Sequence, residues 1–166
     1  MLPVLNKLLS IDGREVTFAR RGFRSTRPEI RDRLEHVGAI FLAGYHAGLQ
    51  ENELEALAKR LERIELEYRG FAYEGAAMAL TIRDAMLPGS NRLQKFMQGA
   101  GKCHIYMLHV GAGWACARLP WVRLRIETFI RKFDPVLRWL VLDGYGFHQG
   151  YFHFKAPVDS AARRLS

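Results

Sequence analysis

Three ionisable residues stand alone in stretches that are otherwise apolar. Glu74 is the only charge between Phe71 and Leu80, Arg118 is the only Lys, Arg, Asp or Glu between Cys103 and Val122, and Asp143 is the only one between Leu140 and Phe154. A buried charge without a partner is costly enough to shift its pKa or draw in water. The three are therefore expected to find one another or a polar cavity, with the Arg118 guanidinium bridging one or both carboxylates through its fork of donors. Such a cluster is either a buried ion pair that fixes helix register or a site that grips and protonates a ligand. In the second case Glu74, Asp143 and His148 are the catalytic candidates, and Arg118, Tyr73, Trp114, Tyr145 and Phe147 are the candidates for binding substrate.

The histidines invite a metal reading and do not sustain it. His104 and His109 are five residues apart, as are His148 and His153. That spacing separates two side chains by about 140° on a helix and puts them on opposite faces of a strand, so neither pair chelates within its own element. Cys103 and Cys116 fit no zinc spacing. A site assembled across segments from Cys103, His109 and His148 is the alternative to histidines that are merely packed or hydrogen-bonded. No metal or other cofactor is expected. There is no Gly-x-Ser-x-Gly and no phosphate loop, and Gly111-Ala-Gly-Trp114 lacks the remaining glycine of a dinucleotide fingerprint.

The elements that must position these residues are helical. Thr26-Arg-Pro-Glu29 is a capping-box pattern with proline in the first turn, and Ile30, Leu34, Val37, Phe41 and Tyr45 follow as one buried stripe to about Leu49. Asn52 is placed to cap a second helix, whose apolar seam from Leu54 to Ile82 runs at spacings of three and four and predicts one long helix to Met86, with a kink possible at Gly70. Asn91 is expected to cap a short helix through Met97. The segment Cys103 to Arg118 is apolar on nearly every side and hence buried, and Pro120 ends it. A last helical pattern runs from Glu127 into Val141–Phe154. Val16 and Phe18 alternate with Glu15 and Thr17, which suggests a small β element near the start. The fold expected is mainly α, with an N-terminal arm over 1–24, a helical domain over 25–156 and a frayed tail over 157–166.

Gly44-Tyr-His-Ala-Gly48 and Gly146-Phe-His-Gln-Gly150 share the order glycine, aromatic, histidine, any residue, glycine, and Arg69-Gly-Phe-Ala-Tyr-Glu-Gly-Ala-Ala-Met78 is a third glycine-aromatic cluster. They read as packing glycines, which let helix backbones approach closely, in duplicated helical units.

Composition narrows the class. Among 166 residues, 49% are hydrophobic and 25% charged, ordinary for one globular domain. Two cysteines make no disulfide framework, so a reduced, cytoplasmic chain is expected. The start carries neither a basic leader nor a twin-arginine signal, and the apolar run from His104 to Val122 is interrupted by histidines, Arg118 and Pro120, so no membrane-spanning helix is expected. The net charge of +8 is concentrated in the last third, where residues 91–166 carry 12 basic and 4 acidic side chains. Nucleic-acid binding is disfavoured, because surface aromatics are not interleaved with the arginines of residues 14–33.

The runs Arg69–Ala79, His104–Ala115, Ala117–Pro120 and Leu137–His153 resemble the UnbL-like family of uncharacterised proteins, encoded in gene clusters that build enediyne polyketides; the likeness extends over roughly residues 25–155. Members are typically about twice as long, so the resemblance implies the N-terminal half of such a protein. It also implies a pathway, the conversion of a linear polyene towards an enediyne core, without assigning a reaction or catalytic residues. Two functions are therefore expected in competition. One is an accessory biosynthetic protein that binds or processes a long apolar polyene intermediate. The other is a non-catalytic helical interaction module or half-domain, which docks on a further copy of itself, a second half-domain or a membrane-associated partner of the same pathway.

Overall fold

The computed structural model describes residues 8–87 and 89–153, and every regular element among them is helical. The helices are α1 (Phe18–Arg21), α2 (Pro28–Gln50), α3 (Leu54–Leu61), α4 (Leu66–Met86), α5 (Arg92–Gln98), α6 (Ile105–Arg118), α7 (Pro120–Arg123), α8 (Ile126–Ile130) and α9 (Trp139–His153), with 3₁₀ turns at Gly13–Val16 and Lys102–His104. The mainly α expectation holds. The β element does not: among the described residues there is no strand, because side-chain caps wind the segment into turns. The Asp12 carboxylate accepts from the Arg14 N–H at 2.8 Å, and the Thr17 hydroxyl accepts from the Arg20 N–H at 3.2 Å. The frayed tail expected from Pro157 lies outside the described residues.

The single long helix expected up to Met86 is two. The chain leaves helical geometry at residues 62–65, where the Arg69 side chain donates to the Glu62 and Ile64 carbonyls at 2.8 and 3.1 Å and pairs with the Glu62 carboxylate at 2.6 Å. Those carbonyls are satisfied without a continuing helix, so the break costs little. Gly70, where a kink was anticipated, lies inside α4. Capping also differs in detail. Asn91 precedes α5 without a side-chain cap, and Asp84 instead accepts from the Arg92 and Leu93 N–H groups at 3.0 Å each. Asn52 accepts from Arg83 at 3.0 Å and leaves its own helix uncapped. Buried Arg83 also donates to the carbonyls of Gly48 and Glu51, at 3.0 and 2.7 Å, and so closes the C-terminal end of α2.

Four helices, α2, α4, α6 and α9, form the body, and glycines set how closely they pack. A Cβ on Gly44 would lie 1.9 Å from the Ala72 carbonyl oxygen, and one on Gly75 would lie 2.0 Å from that of Phe41. The same reciprocal contact joins α6 to α9, where Gly113 meets the Val141 oxygen and Gly144 meets the Val110 oxygen, each at 2.0 Å. Both crossings are antiparallel, each glycine faces the carbonyl three residues before the opposite glycine, and both glycine pairs are 31 residues apart. The chain therefore contains the same glycine-notched unit twice. The register differs from the one suggested by the Gly-aromatic-His pattern. Gly113 and Gly144 are the counterparts of Gly44 and Gly75, whereas Gly146 and Gly150 meet nothing within 4 Å. A fifth close contact, Gly111 against the Glu74 carbonyl at 2.1 Å, joins the two units.

Substitutions at these positions separate notch from surface. Gly75→Ala and Gly113→Ala are each expected to cost at least about 3 kcal/mol in urea unfolding, the upper end for overpacking, because backbone cannot yield as a side chain does. Gly146→Ala should instead gain up to about 1 kcal/mol, as Gly→Ala does on an open helix face.

Candidate functional site

The two units enclose a cavity of about 1020 Å³, at the upper end of the roughly 300–1,000 Å³ of small-molecule sites. Helix α2 supplies Val37 and Phe41, α4 supplies Phe71, Glu74 and Met78, and α6 supplies Met107, Val110, Trp114 and Arg118. Helix α9 closes the side opposite α2 with Asp143, Phe147, His148, Tyr151 and Phe152, and Ile11, Val16 and Phe18 cover it from the N-terminal segment. The walls are predominantly apolar and aromatic.

Trp114 is the hub. Its ring centroid lies 4.7 Å from Phe41, 5.6 Å from Phe147, 5.5 Å from His148 and 6.1 Å from Tyr151. Its indole N–H donates to Glu74 Oε1 at 2.7 Å in a buried hydrogen bond. The geometry follows from the notch one turn earlier: Gly111 lets α6 touch the backbone of Glu74, which brings residue 114 level with the Glu74 side chain. Glu74 is 7% exposed. Its second oxygen accepts no hydrogen bond from the described residues and is not sealed off, so it opens onto the cavity. Burial pushes this carboxyl up to about 7, the Trp114 N–H opposes that rise, and Asp143 adds to it.

His148 is the second polar group in the wall. Burial, then Arg118 and His153, hold its imidazole down at about 4, so it is neutral at pH 7. Nδ1 is buried with no partner, while Nε2 is not sealed off. A buried N–H without an acceptor is the costlier choice, so the proton belongs on Nε2, where it faces the cavity as a donor. The site thus pairs a carboxyl that exchanges its proton near neutrality with a neutral imidazole N–H, in apolar surroundings.

Six of the eight sequence-derived candidates line this cavity: Glu74, Asp143, His148, Arg118, Trp114 and Phe147. Tyr73 does not. It is one residue from Glu74 and so turned about 100° around α4, where its hydroxyl donates to Glu62 at 2.8 Å and its ring stacks on His104. Tyr145 is also outside the lining, packed against the core cluster that holds Leu57 and Phe96. The expected ion-pair cluster is absent among the described residues: no ion pair or hydrogen bond joins Arg118 to Glu74 or Asp143, and Arg118 and Asp143 are exposed at the mouth. Water satisfies both, so neither needs the other. Phe41, Tyr151 and Phe152 were missed by the sequence reading; Tyr151 and Phe152 lie three and four residues beyond His148 and so share its helix face. The Ile11, Val16 and Phe18 wall was hidden by the expected strand. His109 Nδ1–H donates to the Ile105 carbonyl at 2.7 Å, and the ring packs on Phe133. Among the described residues no group of three His, Cys, Asp or Glu is arranged to hold a metal, the Cys103, His109 and His148 combination included.

A family described as "Protein of unknown function (DUF1702)" matches residues 2–165. The chain belongs to that family. No curated protein and no solved structure matches it. Within this DUF1702 chain the repeated unit relates two of the cavity's carboxylates: Glu74 directly precedes Gly75 as Asp143 precedes Gly144, so each is placed by the same crossing.

The two buried groups give opposite pH signatures. Glu74, raised from 4.5 to about 7, holds a proton that the unfolded chain releases, so folding stability falls as pH rises through that window. His148, lowered from 6.5 to about 4, stays neutral while the unfolded chain takes a proton, so stability falls as pH drops from 6.5 to 4. Glu74→Gln, which keeps an acceptor for Trp114, should be more stable than the parent above pH 7 by up to roughly 3 kcal/mol, with the difference vanishing below pH 4.5. Thermal unfolding across pH 4–8 checks this.

Proposed function

We propose that this protein is an accessory factor of enediyne polyketide assembly that holds a long apolar polyene intermediate, with Glu74 and His148 as its proton-handling pair. The observation that carries the reading is an apolar, aromatic cavity of about 1020 Å³ with one buried carboxyl and one neutral imidazole open to it. Aromatic faces suit a conjugated chain, and a carboxyl with a pKa near neutrality can give or take a proton at a polarised double bond while the His148 N–H steadies an oxygen. The resemblance to the UnbL-like proteins supplies the pathway. Arg118 and Asp143, at the mouth, would meet a polar end of the ligand. Cytoplasmic residence, expected from the cysteines, belongs to the same reading; no described helix is long and apolar enough to cross a membrane.

A second reading, a helical module that docks on a further copy or half-domain, draws on α9. Gly146 and Gly150 sit four apart on an open face, whereas the glycines at the four-helix crossings are covered.

Native mass spectrometry of the protein purified from its producing organism is expected to show a co-purifying polyene. Trp114→Ala should abolish its retention, and Glu74→Gln should retain it unprocessed. A chain that emerges empty and binds no added polyene, yet runs as a dimer by light scattering until Gly150→Glu is introduced, would favour the docking module.

A further inference from the structure

The chain between the cavity's α6 and α9 walls has a surface that neither the core nor the site uses. The seven arginine ion pairs among the described residues all involve arginines before position 70. Arg123, Arg125, Arg131 and Lys132, by contrast, are exposed, and their side chains form no ion pair or hydrogen bond with the described residues. Large apolar side chains lie among them with most of their area in solvent: Leu124 is 82% exposed, Val136 79%, Trp139 57% and Trp121 54%. The opposite side of the same segment is anchored, with Leu119 and Ile130 buried and Phe133 packed against the core. Residues 119–139 are thus amphipathic, with indoles outward and the four unpaired cations outnumbering the exposed Glu127 and Asp134.

We propose that residues 119–139 form a peripheral docking surface for an anionic lipid membrane. Unpaired Arg and Lys complement acidic headgroups, tryptophans favour the depth where headgroup meets acyl chain, and exposed Leu and Val gain only where hydrocarbon is within reach. Nucleic acid would satisfy the cations and stack on the indoles but offers nothing to Leu124 or Val136. This inference is independent of the cavity reading, though α9 connects the two. Trp139, Asp143 and Phe147 follow at intervals of four on one exposed face, and Phe147, about 12 Å along the axis from Trp139, lines the cavity.

The test is sedimentation of the full chain with extruded vesicles of phosphatidylcholine alone or mixed 3:1 with phosphatidylglycerol. At low salt at least tenfold tighter partition onto the anionic vesicles is expected, weakening as salt is raised. Trp121→Ala/Leu124→Ala should lower that partition at least fivefold with an unchanged helical circular dichroism spectrum. Should this double variant unfold, fluorescence decides. Lipids with brominated chains should quench the parent's emission, and Trp121→Phe/Trp139→Phe, which leaves only Trp114, should not be quenched. Absence of partition, partition that the Trp121→Ala/Leu124→Ala change leaves intact, or tighter binding to a duplex oligonucleotide than to the vesicles would each overturn the proposal.

Discussion

Contact between bare backbones is the constraint on which this structure rests. At Gly44, Gly75, Gly113 and Gly144 one helix presses its Cα against a carbonyl of another, in a space too small for even a methyl group. Such crossings bring helices nearer than side-chain packing permits, and they fix axial register, because one residue of slip would set a Cβ against backbone. With α2 locked to α4 and α6 locked to α9, Gly111 against Glu74 leaves only one way to join the pairs. The position of the Trp114–Glu74 hydrogen bond follows from that choice.

The site then depends on unequal treatment of similar groups. Glu74 and Asp143 occupy matching places in the two units, each just before a crossing glycine, yet one is buried under Trp114 and the other is at the mouth. The two matching positions thus hold one carboxyl whose proton is held near neutrality and one that is open to solvent. Elsewhere burial of charge is compensated locally: Arg83 has four oxygens within 3.4 Å, three of them carbonyls at the end of α2 or just beyond it.

Much of this was legible in the sequence. The 3.6-residue periodicity located α2 and the stretch that holds α4, the unbroken apolar run over 103–118 marked α6 as buried, and the isolated Glu74, Arg118 and Asp143 marked three points on one cavity. What could not be read were features decided by long-range partners. The break at residues 62–65 depends on Arg69 reaching back to carbonyls, and the cap of α5 comes from Asp84, well upstream of it. Burial was overestimated for Arg118 and Asp143 because a helix end and a cavity mouth look as apolar in sequence as a core does. The repeat was sensed, but the Gly-aromatic-His pattern gave a false register; the true counterpart of Tyr45 is Trp114, which follows Gly113 as Tyr45 follows Gly44. Tyr73 and Tyr145 were misplaced because helix rotation carries each away from the face of its acidic neighbour.

The notched crossings also divide the cavity's lining by mechanical compliance. Packed helices ordinarily change a cavity's volume by shear, sliding a fraction of a residue while side chains hop between rotamers. The crossings on the α2–α4 and α6–α9 sides contain no side chains to hop, so those walls are stiff. The wall formed by Ile11, Val16 and Phe18 has no such lock of its own: Val16 meets Gly38 side chain against backbone, and side chains hold the rest, His46 accepting from the Ile11 N–H at 3.3 Å and Glu35 from the Phe18 N–H at 2.7 Å. The N-terminal wall is therefore where a change in the cavity's volume meets least resistance, and the crossings hold Glu74 and Trp114 in register.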